Sequence, residues 1–113
     1  MDSGQLTYRM AFDAPIETDN GQGGMVLGWD EALHECAAHV RYLRGGETVI
    51  AARLAGRQPV VVTIRNCAAA RAIRHDWRMR DLRGDAIYAL TTDPVPSDDR
   101  AWLEITAVIG VTP

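Results

Sequence analysis

Residues 43–54 read LRGGETVIAARL, and this stretch decides how the rest of the chain is interpreted. An alternating, strand-like run leads into it, the pair Gly45–Gly46 interrupts that run, and Glu47 opens a short helical pattern. An acid in the first turn of a helix complements the helix dipole, and Gly56 is suited to end the helix. The helical pattern carries a narrow apolar stripe, formed by Val49, Ile50 and Leu54, which could pack against the body of the same chain or against a neighbouring copy. The sequence therefore predicts a helical arm, residues 44–58, that leaves a β-rich body through a flexible glycine pair.

Strand patterns dominate the remainder. Residues 60–64 are β-branched at all five positions, which strongly favours a strand. Period-two alternation of apolar and polar residues, typical of half-buried strands, marks further segments at 6–12, 38–43, 78–82, 86–90 and 101–109. We predict a mainly β fold, a small six-stranded β-barrel or sandwich with one or two short helices and long projecting loops.

Several connecting segments are interpreted from their turn formers and helix formers. Pro15 is expected to end the first strand, and residues 17–24 contain too many turn formers for regular structure, so we expect an exposed loop. An extended path resumes at residues 25–29, where Trp29 is large enough to anchor one end of the core. Residues 33–37 fit helix or strand equally well, and residues 66–73 suit a short helical turn. Residues 93–99 are expected to form a polar loop.

Composition limits the possible functions. The 113 residues fit one domain, residues 1–113, and all 12 basic residues are arginine in a chain of net charge −3. An acidic balance argues against a protein whose main task is to grip duplex phosphates. Cys36 and Cys67 form no CxxC pair, the N-terminus does not resemble a signal peptide, and no apolar run approaches the ~20 residues that span a bilayer. These features predict a soluble intracellular protein with reduced thiols and no membrane contact.

No motif predicts catalysis, a metal site or a cofactor site. His34 and His39 are five residues apart, which fits neither one helix face nor one strand face. The run Gly21–Gly24 lacks the strand-to-helix context and the Lys or Ser/Thr of a phosphate-binding loop. We expect no enzymatic activity and no cofactor.

Six arginines fall within 19 residues of this acidic chain, namely Arg65, Arg71, Arg74, Arg78, Arg80 and Arg83. We call them the basic strip. They could form an electropositive surface facing an acidic protein partner or nucleic acid. They could equally form a solvated strand face balanced by Asp76, Asp81 and Asp85. Both interpretations remain open from the sequence.

An ordered series of short segments resembles the head–tail joining family of tailed phages, the head-completion or stopper proteins. The series comprises residues 6–12, Gly23–Gly24, residues 28–31, 38–47, 51–52, 62–65 and 77–80, and a final strand from Arg100. The chain departs from the family pattern at Arg44, where a small residue is common, and at Tyr42, where a proline is common.

The resemblance implies a structural virion protein in the head–tail neck of a free phage, a prophage-derived particle or a gene transfer agent. It implies a homo-oligomeric ring of six or twelve copies, with the portal or adaptor above and the tail terminator or tail tube below. Double-stranded DNA would pass through the channel without sequence-specific binding, and the bacterial cytoplasm would hold the protein before assembly. The arm is then the candidate gate and inter-subunit contact, through Arg44, Gly45, Gly46, Glu47, Val49, Ile50, Arg53, Leu54 and Arg57. Loop contacts are expected from Asp19, Asn20, Gly21 and Gln22.

Two alternatives compete with the stopper. One is a small nucleic-acid-binding β-barrel that uses the basic strip, although Trp77 and Tyr88 are the only aromatic residues nearby for base stacking. The other is a different neck component, an adaptor or a tail terminator, and we expect an adaptor to be more helical.

Overall fold

The computed structural model describes residues 3–19 and 21–111, and antiparallel strands make up most of it. The strands are β1 (Tyr8–Asp19), β2 (Met25–Tyr42), β3 (Gln58–Arg65), β4 (Arg78–Asp81), β5 (Ile87–Leu90), β6 (Val95–Pro96) and β7 (Trp102–Ile109). Two helices, α1 (Glu47–Leu54) and α2 (Ala68–Arg71), lie in connections, and a 3-10 turn (Ser3–Gln5) precedes β1.

Six of the strands close into a barrel. The order is β3-β2-β1-β4-β5-β7, and β7 pairs back onto β3 along its whole length. The two-residue β6 extends the β5 side of β7. The prediction of a mainly β, six-stranded barrel is confirmed, and β6 is an addition within the segment expected to be a polar loop.

The barrel interior follows from alternation along paired strands. Val60 faces Ala107, Val62 faces Ile105 and Ile64 faces Leu103 across the β3–β7 pair, and all six side chains are buried. Successive side chains point to opposite faces of a strand, so one face of each strand fills the core. Large side chains from the other strands complete it, chiefly Met10, Phe12, Met79, Tyr88 and Leu90, together with Ile73 beside α2.

The longest element is the β1–β2 hairpin, which extends well beyond the barrel. β4 pairs only with residues 10–13 of β1, and β3 pairs only with residues 38–42 of β2. The outer part, residues 14–30, is a two-stranded projection that we call the ribbon. The prediction that Pro15 ends the first strand is wrong, because β1 continues to Asp19. Of the predicted 17–24 loop, residues 17–19 lie in β1, and residues 21–24 form a non-strand connection to β2. A proline is tolerated here because an edge strand does not need every backbone N–H for a ladder.

A β-bulge marks where the ribbon leaves the barrel. Phe12 pairs with His34 and Ala14 pairs with Asp30, so three residues of β2 oppose one residue of β1. Ala32, within this bulge, has a φ of 57°, a strained value for a residue that carries a Cβ. Bulges bend and twist a strand pair, and this one redirects the hairpin away from the barrel wall.

The arm lies at the opposite end of β2. Helix α1 spans Glu47–Leu54, as predicted, and Gly46 precedes it with a φ of 87°. The base of the arm is tied to the barrel, because the Leu43 N–H donates to the Pro59 carbonyl at 3.1 Å and the Gln58 amide donates to the Leu43 carbonyl at 2.8 Å. No residue of α1 is buried. The arm is therefore an exposed helix on a fixed base.

The remaining connections match the sequence in part. Residues 33–37, which fitted helix or strand, lie in β2, because pairing with β1 outweighs the helix propensity of the segment. The short helix expected within residues 66–73 is α2, and the Cys67 sulfur caps it by accepting from the Ala70 N–H at 3.4 Å.

Gly56 and Gly110 meet where the arm returns to the barrel. Gly110 has a φ of 95°, and a Cβ on it would overlap the carbonyl oxygen of Gly56. Positive φ and the absence of a side chain are both needed at this position, so Gly110 sets how closely the end of the arm approaches β7.

We predict that Gly110→Ala lowers the free energy of unfolding by at least about 2 kcal/mol. The alanine would have to adopt a positive φ, and its Cβ would overlap the carbonyl oxygen of Gly56. Gly45→Ala is the matched control, because nothing lies within 4 Å of a Cβ there and the residue has no positive φ. That variant should stay within about 0.5 kcal/mol of the natural chain. Urea unfolding followed by tryptophan fluorescence measures both, and equal midpoints would contradict the prediction.

Candidate functional site

The ribbon is joined to the barrel wall by a buried carboxylate. Asp13, within the bulge, is fully buried. Its Oδ2 accepts from Arg78 Nε at 2.6 Å and from Arg80 Nε at 2.7 Å, and its Oδ1 accepts from Arg80 Nη2 at 3.0 Å. The Ala32 N–H also donates to Oδ1, at 2.9 Å. We call Asp13, Ala32, Arg78 and Arg80 the ribbon clamp, because it joins β1, β2 and β4.

These contacts keep Asp13 ionised. Burial alone raises the pKa of this carboxyl, but hydrogen bonds from Arg80, the Ala32 N–H and Arg78 outweigh burial and hold its pKa below the ordinary value. The hydrogen bonding between Arg80 and Asp13 also raises the pKa of Arg80. A carboxylate that accepts four hydrogen bonds is fully satisfied, so the clamp is a structural joint.

Trp29 and Glu31 extend the clamp onto the ribbon. The Arg78 guanidinium lies over the Trp29 ring at 4.6 Å from its centroid, and Glu31 lies 3.6 Å from Arg80 Nη2. The prediction that Trp29 anchors the core is wrong, because the tryptophan lies on the ribbon, outside the buried core cluster. Its stacking on Arg78 holds the ribbon against β4 by a cation–π contact.

Two of the six arginines of the basic strip, Arg78 and Arg80, are bound to the buried Asp13. The other four are exposed: Arg65 ends β3, Arg71 and Arg74 are neighbours at the end of α2, and Arg83 follows β4. Arg65 stacks on Trp102, Arg71 donates to Asn66, Arg74 donates to the carbonyls of Arg71 and Ile73, and Arg83 donates to the Thr7 carbonyl. A partner-facing role for the strip stays a prediction, and Arg78 and Arg80 already have a structural role.

The arm residues lie together on an exposed surface. Ile50, Arg53 and Leu54 line one shallow cleft of α1, and Leu54 is 84% exposed. Arg44 and Arg57 are exposed at the two ends of the arm. Val49 is half-buried, and the other predicted arm residues are exposed on one projection.

The predicted loop contacts lie at the tip of the ribbon. Asp19, Gly21 and Gln22 are exposed, and Asp19 accepts from the Gly21 N–H at 2.9 Å, while Asn20 lies outside the described residues.

Sequence reasoning missed the apolar surface of the ribbon. Leu27 is 77% exposed, Met25 is 59% exposed, and Ile16 is also exposed. A groove of about 690 Å³ runs beside them, lined by Pro15, Ile16, Glu17, Leu27, Gly28, Trp29 and Asp76. The alternation through residues 25–29 was the available signal, but the size of Trp29 suggested that this segment anchors the core.

Residues 3–19 and 21–111 contain no group of three or more His, Cys, Asp or Glu side chains placed to hold a metal ion. None of the helices formed by those residues is long and apolar enough to cross a membrane. Both Cys36 and Cys67 are free thiols, and burial raises the pKa of Cys36 to about 11.

The family model described as phage head completion protein matches residues 1–110. The chain belongs to the phage head completion protein family. Members of this family are structural proteins of phage particles, so a structural role in a virion or virion-like particle follows.

Solved structures of similar fold support the architecture. Protein SF1141 from Shigella flexneri 2a, a solution structure, superposes with a TM-score of 0.72 at 20% identity and covers 100% of both chains. A chain in the virion of a native gene transfer agent particle superposes with a TM-score of 0.62 at 22% identity, covering 92% of this chain and 94% of that one. No curated protein matches this head completion protein.

We predict that Asp13→Ala destabilises the head completion protein by about 2–3 kcal/mol, because it removes the buried partner of two partly buried arginines and leaves them only the exposed Glu31. The arginine side chains are 16% and 26% exposed, so some of the cost is relieved by water. Glu35→Ala is the control, since its 3.4 Å pair with Arg9 is exposed and should cost less than about 1 kcal/mol. Equal urea midpoints for the two variants would contradict the clamp.

The lowered pKa of Asp13 also predicts an acid dependence. A carboxyl whose pKa falls on folding adds stability that is complete above its unfolded value of about 3.9, and this stability is lost as pH falls through the lower folded value. The gap in unfolding free energy between the natural chain and Asp13→Asn should therefore be constant above about pH 5 and shrink below pH 4. Asp93 and Asp99 titrate in both chains and cancel in the difference. A gap that is independent of pH in urea titrations would contradict this.

Proposed function

We propose that this head completion protein is the stopper of a phage-like neck. In this role, copies form a ring of six or twelve between the portal or adaptor and the tail, retain the packaged DNA, and offer the tail its docking surface. The observation that carries the proposal is the pair of projections on one rigid barrel. The arm and the ribbon both expose large apolar side chains, and exposed apolar clusters on a small protein mark contacts with other chains.

The charge distribution suits a conduit for DNA. The chain has a net charge of −3, and two of its arginines, Arg78 and Arg80, are bound to Asp13. Each phosphate that a protein neutralises adds salt-dependent affinity, so a net negative charge favours passage of DNA over tight binding. Retention then requires a steric barrier, and the arm is the candidate because it projects without a buried residue.

Secondary structure favours a stopper over the alternative neck components and over a nucleic-acid-binding barrel. The described residues are 51% strand and 13% helix, whereas an adaptor is expected to be more helical. A nucleic-acid-binding barrel would need its arginines available for phosphates, and two of the six are held by Asp13.

We predict that particles assembled with the double variant Ile50→Asp/Leu54→Asp lose packaged DNA and fail to attach tails, as do particles with residues 45–57 deleted. Both substituted side chains are exposed, so the barrel should fold as before. Val95→Asp is the matched control, because Val95 is an exposed apolar residue on β6, which pairs with β7 and with neither projection. Electron microscopy of tailed particles and nuclease protection of DNA measure the outcome. Normal DNA retention and tail attachment by the double variant would overturn the proposed role of the arm.

A further inference from the structure

The two projections carry opposite charge. The ribbon, residues 14–30, holds three carboxylates, those of Glu17, Asp19 and Asp30, and no basic residue. The arm, residues 44–58, holds three arginines and the single acid Glu47, a net charge of +2 (3 − 1). Oppositely charged patches steer surfaces together and fix their register.

The arm and the ribbon also both expose apolar side chains. The arm presents Ile50 and Leu54 with Arg53 beside them on one cleft. The groove on the ribbon offers Pro15, Leu27 and the Trp29 ring as an apolar floor, with carboxylates at Glu17 and Asp76. The register pairs Pro15 with Trp29 and Glu17 with Leu27, so these four side chains lie on one face of the ribbon.

We infer that the arm of one copy lies in the ribbon groove of the next copy. Leu54 and Ile50 fill the apolar part of the groove, and Arg53 faces Glu17 and Asp76. This inference rests on the proposed ring and names the surfaces that build it.

The two surfaces cannot meet within one molecule. The ribbon ends at residue 30 and the arm begins at residue 44, so residues 31–42 of β2 separate them. At about 3.3 Å per residue this part of β2 spans up to roughly 40 Å, in a molecule that extends 49 Å in its longest direction. Each copy thus provides one arm and one groove, a heterologous contact that closes into a ring when the rotation between copies permits.

An eight-residue helix in a groove buries less surface than the ~1,000 Å² expected of a stable interface. We therefore expect the contact to form when copies are gathered on a neck, where neighbours have a high effective concentration. The test accordingly uses assembled particles.

The first test is cross-linking. A chain with Leu27→Cys and Leu54→Cys is assembled into particles in a Cys67→Ser background, in which serine can still cap α2. Cys36 remains, because it is half-buried and burial raises its pKa to about 11. Mild oxidation should give a ladder of covalent oligomers that ends at the ring size. Leu54→Cys paired with Val95→Cys, two exposed positions that are not expected to meet, should give none.

The second test is a charge exchange. Arg53→Glu and Glu17→Arg should each reduce the yield of tailed, DNA-filled particles by about tenfold, and the combined variant should recover to within about threefold of the natural chain.

The outcomes separate the two proposals. Necks that contain the protein but show neither a ladder nor recovery would overturn this inference and leave the stopper role intact. Cross-links from either cysteine to a different neck protein would overturn it as well. Absence of the protein from the neck would overturn both the inference and the stopper role.

Discussion

The carboxylate of Asp13 is the interaction on which the arrangement of the molecule depends. It is the only buried acidic side chain among the described residues, and it is shared by β1, β2 and β4 through hydrogen bonds from Ala32, Arg78 and Arg80. Without it, the bulge would hold a left-handed alanine and an unpaired backbone N–H at the point where the hairpin leaves the barrel. A two-stranded projection would be only marginally stable alone. The clamp fixes it to the barrel wall.

The clamp also explains how charge is distributed in the chain. Arginine suits a shared, partly buried carboxylate because its planar guanidinium presents several donors in fixed directions. Arg78 and Arg80 are two residues apart on β4, so both point to the face where Asp13 lies. The Trp29 ring beneath Arg78 then covers the guanidinium from the ribbon side. Two arginines that look like a basic surface in the sequence are thus internal joints of the fold.

The elements that the sequence predicts well are those whose side chains decide their structure locally. The β-branched run at 60–64 is a barrel strand, and the glycine pair followed by Glu47 is the start of α1. The ribbon could not be predicted in the same way. Pro15 is normally a strand terminator, and it is compatible with β1 only because the partner strand lies on one side alone, a fact of tertiary arrangement. The pairing of Asp13 with arginines 65 and 67 positions away is likewise invisible to local patterns.

Of the two candidate interaction surfaces, the arm could be predicted from the sequence and the groove could not. An apolar stripe on a short helix between glycines indicates an exposed arm, because such a helix has too little surface to bury. Ile16 and Leu27, by contrast, alternate as core residues do, and only the length of the hairpin shows that no core lies opposite them.

Barrel closure has a consequence for assembly. Because β7 pairs with β3, the barrel itself leaves no long strand edge for a neighbour to extend. Free backbone edges remain on the ribbon, yet Pro15 removes one donor from such an edge, and the carboxylates of Glu17, Asp19 and Asp30 repel a second ribbon. Copies are therefore discouraged from pairing ribbon to ribbon, which would produce open aggregates. The acidic, apolar ribbon is complementary to a basic, apolar helix. Each chain carries such a helix, α1 in the arm, beyond the far end of β2.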